Sequence, residues 1–371
     1  MIMMLWLRFA CGFLVLIGLP LFGVWITGGA LKPYLMFPPV TSHAVHGVFS
    51  WPVFWLITIL VLACVLPLDL YVILKGRRRL AIKTKTGKAF PWWGWTGFVL
   101  LILTWVFAWT RFNLFKQFRI FSFSPQWLSY IIVVNGLTEA RGVKSMLRHR
   151  PGLLVRLAVA SFIFWWFFEY LNRFAQNWYY TGIGELDSWS YFLYASLPFA
   201  TVLPAVASTF DYVKTFDAIG AGLDDFIRLT IPHKISTILP WMVLILSCFS
   251  LFGIGVWPDI FFFSLWVAPL GIILSIQALS GQKTIFSRLA QGRWRSMYCY
   301  VFSALICGFF WEMWNMFSVA KWHYSIPFVE QFRIFEMPLL GYAGYLPFGL
   351  ECFVIVDMLK RGIAGKKPVS V

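Results

Sequence analysis

FFEYLNRFAQNWYY at residues 167–180 and FFWEMWNMFSVAKWHY at residues 309–324 carry one polar pattern inside apolar sequence. In each, a Glu is followed three residues later by an Asn, then by a Trp, one further residue and a Tyr. The members are Glu169, Asn172, Trp178 and Tyr180 in the first stretch, and Glu312, Asn315, Trp322 and Tyr324 in the second. A Pro-containing apolar segment follows each, SLPFATVLPA at 196–205 and EMPLLGYAGYLPFGLE at 336–351. Self-similarity of this kind marks duplicated helical units, so the chain is expected to contain two of them.

Working outward, the 371 residues are 60% hydrophobic and only 12% charged, far below the quarter that a soluble surface needs. With a mean hydropathy of +0.75, this is the composition of an all-α polytopic membrane protein. A crossing needs about 20 mostly apolar residues. That criterion predicts about ten, near 5–27, 48–74, 94–112, 122–139, 153–176, 189–212, 236–255, 259–280, 297–319 and 336–358. The fourth is diluted by Ser122, Ser124, Gln126, Ser129 and Asn135. The run from Leu5 to Thr27 exceeds a signal-peptide core and lacks a small-residue cleavage site, so it reads as a retained first helix.

The 31 Lys and Arg outnumber the 15 Asp and Glu, but they fall in short clusters between apolar runs. That is the pattern of loops facing anionic lipid and argues against nucleic acid as a partner. Assigned to alternate loops, 24 lie on one side and seven on the other, which predicts cytoplasmic N- and C-termini in an inner (plasma) membrane. The basic stretch from Lys75 to Lys88 reads as a solvated topogenic loop, with anionic-lipid binding as the alternative.

The expected organisation is two N-terminal helices and a basic loop in 1–91, a first four-helix unit in 92–213, a connector in 214–235, and a second four-helix unit with a basic tail in 236–371. Four is even, so the two tandem units share one orientation, as in parallel-repeat membrane proteins. In the connector, Phe216, Ile219, Leu223, Phe226 and Ile227 recur at helical spacing and predict an amphipathic interfacial helix.

A carboxylate inside a crossing is costly and usually faces a partner or a cavity. Glu169 and Glu312 fall near the outer ends of their helices and are expected to be only partly buried. The three-residue spacing puts each on one face with its Asn, and Gln176 continues the first face. Facing each other, the two stripes would line an outward crevice between the units. The structural alternative pairs Glu169 with Arg173 four residues on and makes Asn172 and Asn315 interhelical bonds. Glu312 has no basic residue at that spacing, nor does Glu351. Glu336 falls at a helix start, where a carboxylate meets the helix dipole favourably. Asp69 and Asp211 lie near the inner surface, solvated or paired.

Trp178, Tyr180, Trp322 and Tyr324 sit where interfacial belts form. Yet 21 Trp and 39 Phe exceed what belts require, and aromatic walls can hold flat apolar groups. His43, His46, His149, His233 and His323 avoid the centres of the crossings, which disfavours intramembrane haem. His43, His46 and His323 share the outer side but read as loop residues. The six cysteines have no metal-site spacing and read as core residues, so neither metal nor cofactor is expected. Walker A, dinucleotide, HExxH and GxSxG motifs do not occur in the sequence.

A polar residue in one crossing, a Trp-x-Tyr at its outer end and a Pro-associated acidic residue opening the next resemble the membrane-integral lycopene cyclases and carotenoid hydratases. The likeness covers 162–205 and 305–352; Glu336-Met337-Pro338 reverses the order of that family's Pro-x-Glu-Glu. The N-terminal part, with FPWWGW at 90–95, looks more like a bacterial inner-membrane family. The resemblance implies cofactor-independent chemistry in which a Glu protonates a polyene and aromatic rings stabilise the carbocation. The leading expectation is an apolar isoprenoid or lipid-like ligand between the units, with Glu312 and Glu169 as catalytic residues. Asn172, Asn315, Gln176, Trp178, Tyr180, Trp322, Tyr324, Glu336 and Glu351 are its binding residues. Acid-catalysed lyase or isomerase activity is one outcome, a proton- or cation-coupled transporter a second, and a noncatalytic membrane subunit with a membrane-protein partner a third.

Overall fold

A computed structural model describes residues 2–39, 42–79, 87–110 and 118–363. Much of the basic loop after Lys75, the basic residues Arg111 and Lys116, and the tail from 364 onward lie outside the described residues.

The described residues are mostly helical. In chain order the helices are α1 (Ile2–Ile26), α2 (Lys32–Leu35), α3 (Trp51–Arg79), α4 (Trp92–Trp109), α5 (Phe123–Ala140), α6 (Met146–His149), α7 (Pro151–Ala175), α8 (Ser188–Phe199), α9 (Val202–Val213), α10 (His233–Val256), α11 (Pro258–Phe261), α12 (Ser264–Leu279), α13 (Arg295–Met316) and α14 (Tyr345–Ile363). Short 3-10 turns at Ile285–Gln291 and Leu339–Gly344 precede α13 and α14. Among the described residues, seven segments are long and apolar enough to cross a membrane: Trp51–Gly76, Trp92–Trp109, Pro151–Ala175, Ser188–Val213, His233–Val256, Arg295–Met316 and Leu339–Arg361. Leu14–Ile26 and Ser264–Leu279 are apolar but shorter. This is the character of a membrane protein. α3 shows it most plainly, exposing Trp55, Ile59, Leu62, Leu66, Leu70 and Ile73 along its length, a surface that only lipid or another apolar partner would cover.

α9 is the central helix, buried at every position from Val202 to Phe210, and it packs on α5, α7, α13 and α14. The polarity of α5 has a packing reason. Asn135 donates from Nδ2 to Ser208 Oγ at 2.9 Å and accepts the Leu147 N–H through Oδ1 at 2.9 Å. Gln126, Ser129, Asn135 and Thr138 are all buried in protein, and hydrogen bonds satisfy Asn135 and Thr138 there.

The crossing expected over 189–212 is present as Ser188–Val213, with its helix interrupted between α8 and α9. In a continuous helix the Leu203 N–H would bond to the Phe199 carbonyl. The Ser161 hydroxyl of α7 stands between them, donating to the Phe199 carbonyl at 2.5 Å and accepting the Leu203 N–H at 3.0 Å. Pro204 adds the ring that clashes with the carbonyl four residues back. Ser161→Ala should therefore orphan two buried backbone groups and lower stability by about 1–3 kcal/mol, read as a lower unfolding temperature in detergent. An unchanged melting profile would mean that the two groups find each other unaided.

Residues 214–232 correct a second expectation, because they form turns and extended chain and no amphipathic helix. Gly220 and Gly222 adopt left-handed backbone with φ of 72° and 78°, which ends helical continuation. The apolar spacing is used differently: Trp294 N–H donates to the Leu223 carbonyl at 2.7 Å, and Phe226 N–H to the Gly292 carbonyl at 3.0 Å.

Candidate functional site

The Trp-x-Tyr segments are β-strands. β1 (Trp178–Thr181) follows α7, β2 (Lys321–Tyr324) follows α13, and they pair antiparallel with Trp178 opposite Tyr324 and Tyr180 opposite Trp322. The C-terminal ends of α7 and α13 are thus brought to one end of the bundle. A second two-stranded pairing, β3 (Arg333–Ile334) with β4 (Met337–Pro338), lies beside it. Tyr324 and Trp178 are buried, and Tyr180 and Trp322 are partly buried. The expected interfacial belt is therefore a ribbon packed on the bundle.

One Asn holds each strand. Asn172 Nδ2 donates to the Trp178 carbonyl at 2.8 Å, and its Oδ1 accepts the Trp178 N–H at 3.2 Å. Asn315 makes the same pair with Trp322, at 2.7 and 2.9 Å. An Asn three residues after each Glu satisfies both main-chain groups of the Trp that the strand opens on or centres on. Neither Asn lines the cavity described below.

Both carboxylates were expected to be partly exposed, yet Glu169 is 3% exposed and Glu312 0%, because the ribbon closes over their helix ends. Their partners differ. Oε1 of Glu169 accepts from Tyr180 Oη at 2.5 Å, Trp178 Nε1 at 3.1 Å and Trp165 Nε1 at 3.2 Å. Oε1 of Glu312 accepts from Tyr324 Oη at 2.7 Å and Tyr345 Oη at 3.2 Å. Trp322 Nε1 donates to the Tyr324 hydroxyl at 2.9 Å. Oε2 of Glu312 is buried with no hydrogen-bond partner. The proposed intrahelical ion pair is absent among the described residues, since Arg173 Nη1 donates to the Tyr34 and Met36 carbonyls, each at 2.8 Å.

Beneath the ribbon lies a cavity of about 140 Å³ between α7–α9 and α12–α14. Trp178, Tyr180, Trp322, Tyr324 and Glu312 line it; Glu169 stands behind Trp165, Trp178 and Tyr180. Sequence reasoning missed Trp165, Trp266, Trp311, Tyr345 and Phe348 in its walls, and Tyr191 and Tyr194 at its α8 side. Of these, Trp165 donates to Glu169 and Tyr345 to Glu312. The Tyr345 ring packs on Gly308, where an added Cβ would come within 2.5 Å of it, so the absent side chain makes room for the hydroxyl to reach Glu312.

Besides the two Asn residues, three expected binding residues stand elsewhere. Gln176 caps α7 in left-handed backbone with φ of 49° and an exposed side chain, so it does not extend the polar face. Glu336 precedes β4 and no helix, and pairs with Lys321 at 2.6 Å and His323 at 3.3 Å. Burial opposes its ionisation, but the Lys321 hydrogen bond and charge, with His323, outweigh burial and hold the carboxyl below its usual value. Glu351 is buried in α14 with both oxygens unpartnered and does not line the cavity. His46 pairs with Asp259 at 2.6 Å, apart from the His323–Glu336 contact, so the outer histidines serve separate partners. No group of three or more metal-ligand side chains occurs among the described residues.

Compared with known protein families, with curated proteins and with solved structures, the chain finds no match.

Proposed function

We propose that the chain binds an apolar isoprenoid or lipid-like molecule in the aromatic cavity and acts on it with Glu312 as proton donor. The observation that carries this reading is the free Oε2 of Glu312, a buried carboxyl oxygen without a partner in the cavity wall. A buried polar atom left unpaired costs about 1–3 kcal/mol and is explained if a ligand or a transferred proton meets it. Trp311, Trp266, Trp165 and Phe348 line the same space and would present ring faces to a cationic intermediate. Tyr324 and Tyr345 fix the other oxygen, orienting the free one.

The proposed frame is a bacterial inner-membrane protein of ten crossings with both termini cytoplasmic. Two like-oriented four-helix units, the first ending in α8–α9 and the second in α14, follow two N-terminal helices. It is supported by the cross-strand exchange of Trp and Tyr between β1 and β2 and by the identical Asn bonds on each strand. The test is mass spectrometry of lipid extracted from purified protein, wild type against Glu312→Gln. Wild type should carry an isoprenoid or other apolar species that falls at least about tenfold in the variant, at unchanged unfolding temperature. Equal content in both would sink the assignment. Coupled transport is the second reading, since both carboxylates are buried within helices; uptake driven by a pH gradient in proteoliposomes would favour it. A scaffold role is preferred if purification yields stoichiometric partners and no ligand.

A further inference from the structure

At the end of the bundle opposite the ribbon, Phe210 of α9, Tyr300 of α13 and Phe353 of α14 stack face to face. Their centroids are 3.9 and 4.6 Å apart, with 13° between the planes in each pair. A cation covers each end of the column: Lys214 Nζ lies 5.8 Å from the Phe210 centroid and the Arg288 guanidinium 5.5 Å from that of Phe353. The neighbouring arginines have carboxylates. Arg150 pairs with Asp211 at 2.6 Å, Arg288 and Arg361 share Asp357, and Arg295 reaches the largely exposed Asp224 and Asp217 at 3.5 and 3.9 Å.

Two lysines in this cluster do not. Lys214 and Lys360 have no carboxylate within ion-pair distance among the described residues, although Asp211 is within electrostatic reach of both. Burial, with Arg295 beside it, holds the Lys214 ammonium below its usual value, the mark of a cation short of counter-charge. Arg295 Nε is buried without any partner. Positive charge, a missing acceptor and a gap in carboxylates therefore coincide where three helices end.

We propose that this end of the bundle binds a phosphate-type anion, carried by an acidic phospholipid headgroup, with Lys214, Lys360 and Arg295 as its donors. A phosphate supplies several acceptor oxygens and the negative charge that both lysines lack, and basic pockets between helices at a membrane surface recognise such headgroups. The inference is independent of the cavity reading, which concerns the opposite end.

Native mass spectrometry of the full chain in neutral detergent tests it, with phosphatidylglycerol, phosphatidylcholine and inorganic phosphate as probes. Wild type should retain phosphatidylglycerol over phosphatidylcholine by roughly tenfold or more. K214Q/K360Q should lose that preference, K214R/K360R should keep it, and K234Q, at an exposed lysine of the same end, should behave as wild type. If the double Gln variant does not fold, K360Q alone should still lose about threefold. Displacement of the lipid by millimolar inorganic phosphate would assign recognition to the phosphate group alone; resistance to it would assign recognition to the lipid. Equal phosphatidylglycerol retention by wild type and the Lys→Gln variants overturns the proposal.

Discussion

Glu169→Leu is expected to lower stability by about 3–6 kcal/mol, and Glu312→Leu by only about 1–2 kcal/mol. The difference follows from how many donors each carboxylate holds. Leucine at 169 removes the shared acceptor of the Tyr180 hydroxyl and of the indole N–H groups of Trp165 and Trp178, all three on one oxygen. With total stabilities of about 5–15 kcal/mol, such a loss brings the protein close to unfolding at ordinary temperature. At 312 the losses are partly offset. The Tyr324 hydroxyl still accepts from Trp322 Nε1, and the substitution removes Oε2, which had no partner to lose. Chemical denaturation in detergent, read by tryptophan fluorescence, gives both values. Glu312→Leu should also lose the co-purifying ligand while remaining folded. Equal destabilisation by the two substitutions would contradict the division into one structural and one chemically available carboxyl group.

The parts of this arrangement that were legible in sequence are the ones set by local spacing. Glu and Asn three apart lie on one helical face wherever the helix sits, and the apolar runs announce most helices because lipid-facing surface must be apolar. Features that depend on distant chain were not legible. Trp-x-Tyr has the alternation of a strand, but its pairing partner lies more than a hundred residues away; Thr181 meets His323 at a separation of 142. A strand that short shows no local signal distinguishing it from an interfacial aromatic pair. The break before α9 depends on Ser161 of another helix. In the connector, helical apolar spacing was outweighed by two glycines whose backbone only a turn accommodates. Tyr345 reaches Glu312 from 33 positions along the chain, through the space left at Gly308, and a periodic pattern contains neither fact.

The ribbon should fail if either of its Asn anchors is removed. Asn172→Leu and Asn315→Leu each leave one Trp N–H and one Trp carbonyl, buried at Trp178 and part-buried at Trp322, without their side-chain partner, at an expected cost of about 2–5 kcal/mol each. The β1–β2 register has only four residue pairs, too few for a two-stranded ribbon to stand unaided, so losing one anchor frees both strands. Effects of the two substitutions should therefore fall short of additivity, because the second acts on a ribbon already released. Asn→Asp distinguishes anchoring from bulk: Oδ1 can still accept the Trp N–H, but the donor to the Trp carbonyl is gone, so it should cost nearly as much as Leu. Ribbon loss also withdraws Trp178, Tyr180, Trp322 and Tyr324 from the cavity wall, so ligand retention should fall along with the unfolding temperature, unlike Glu312→Gln, which should lose ligand alone. Wild-type melting in both Leu variants would show that packing, and not these hydrogen bonds, positions the strands over the carboxylates.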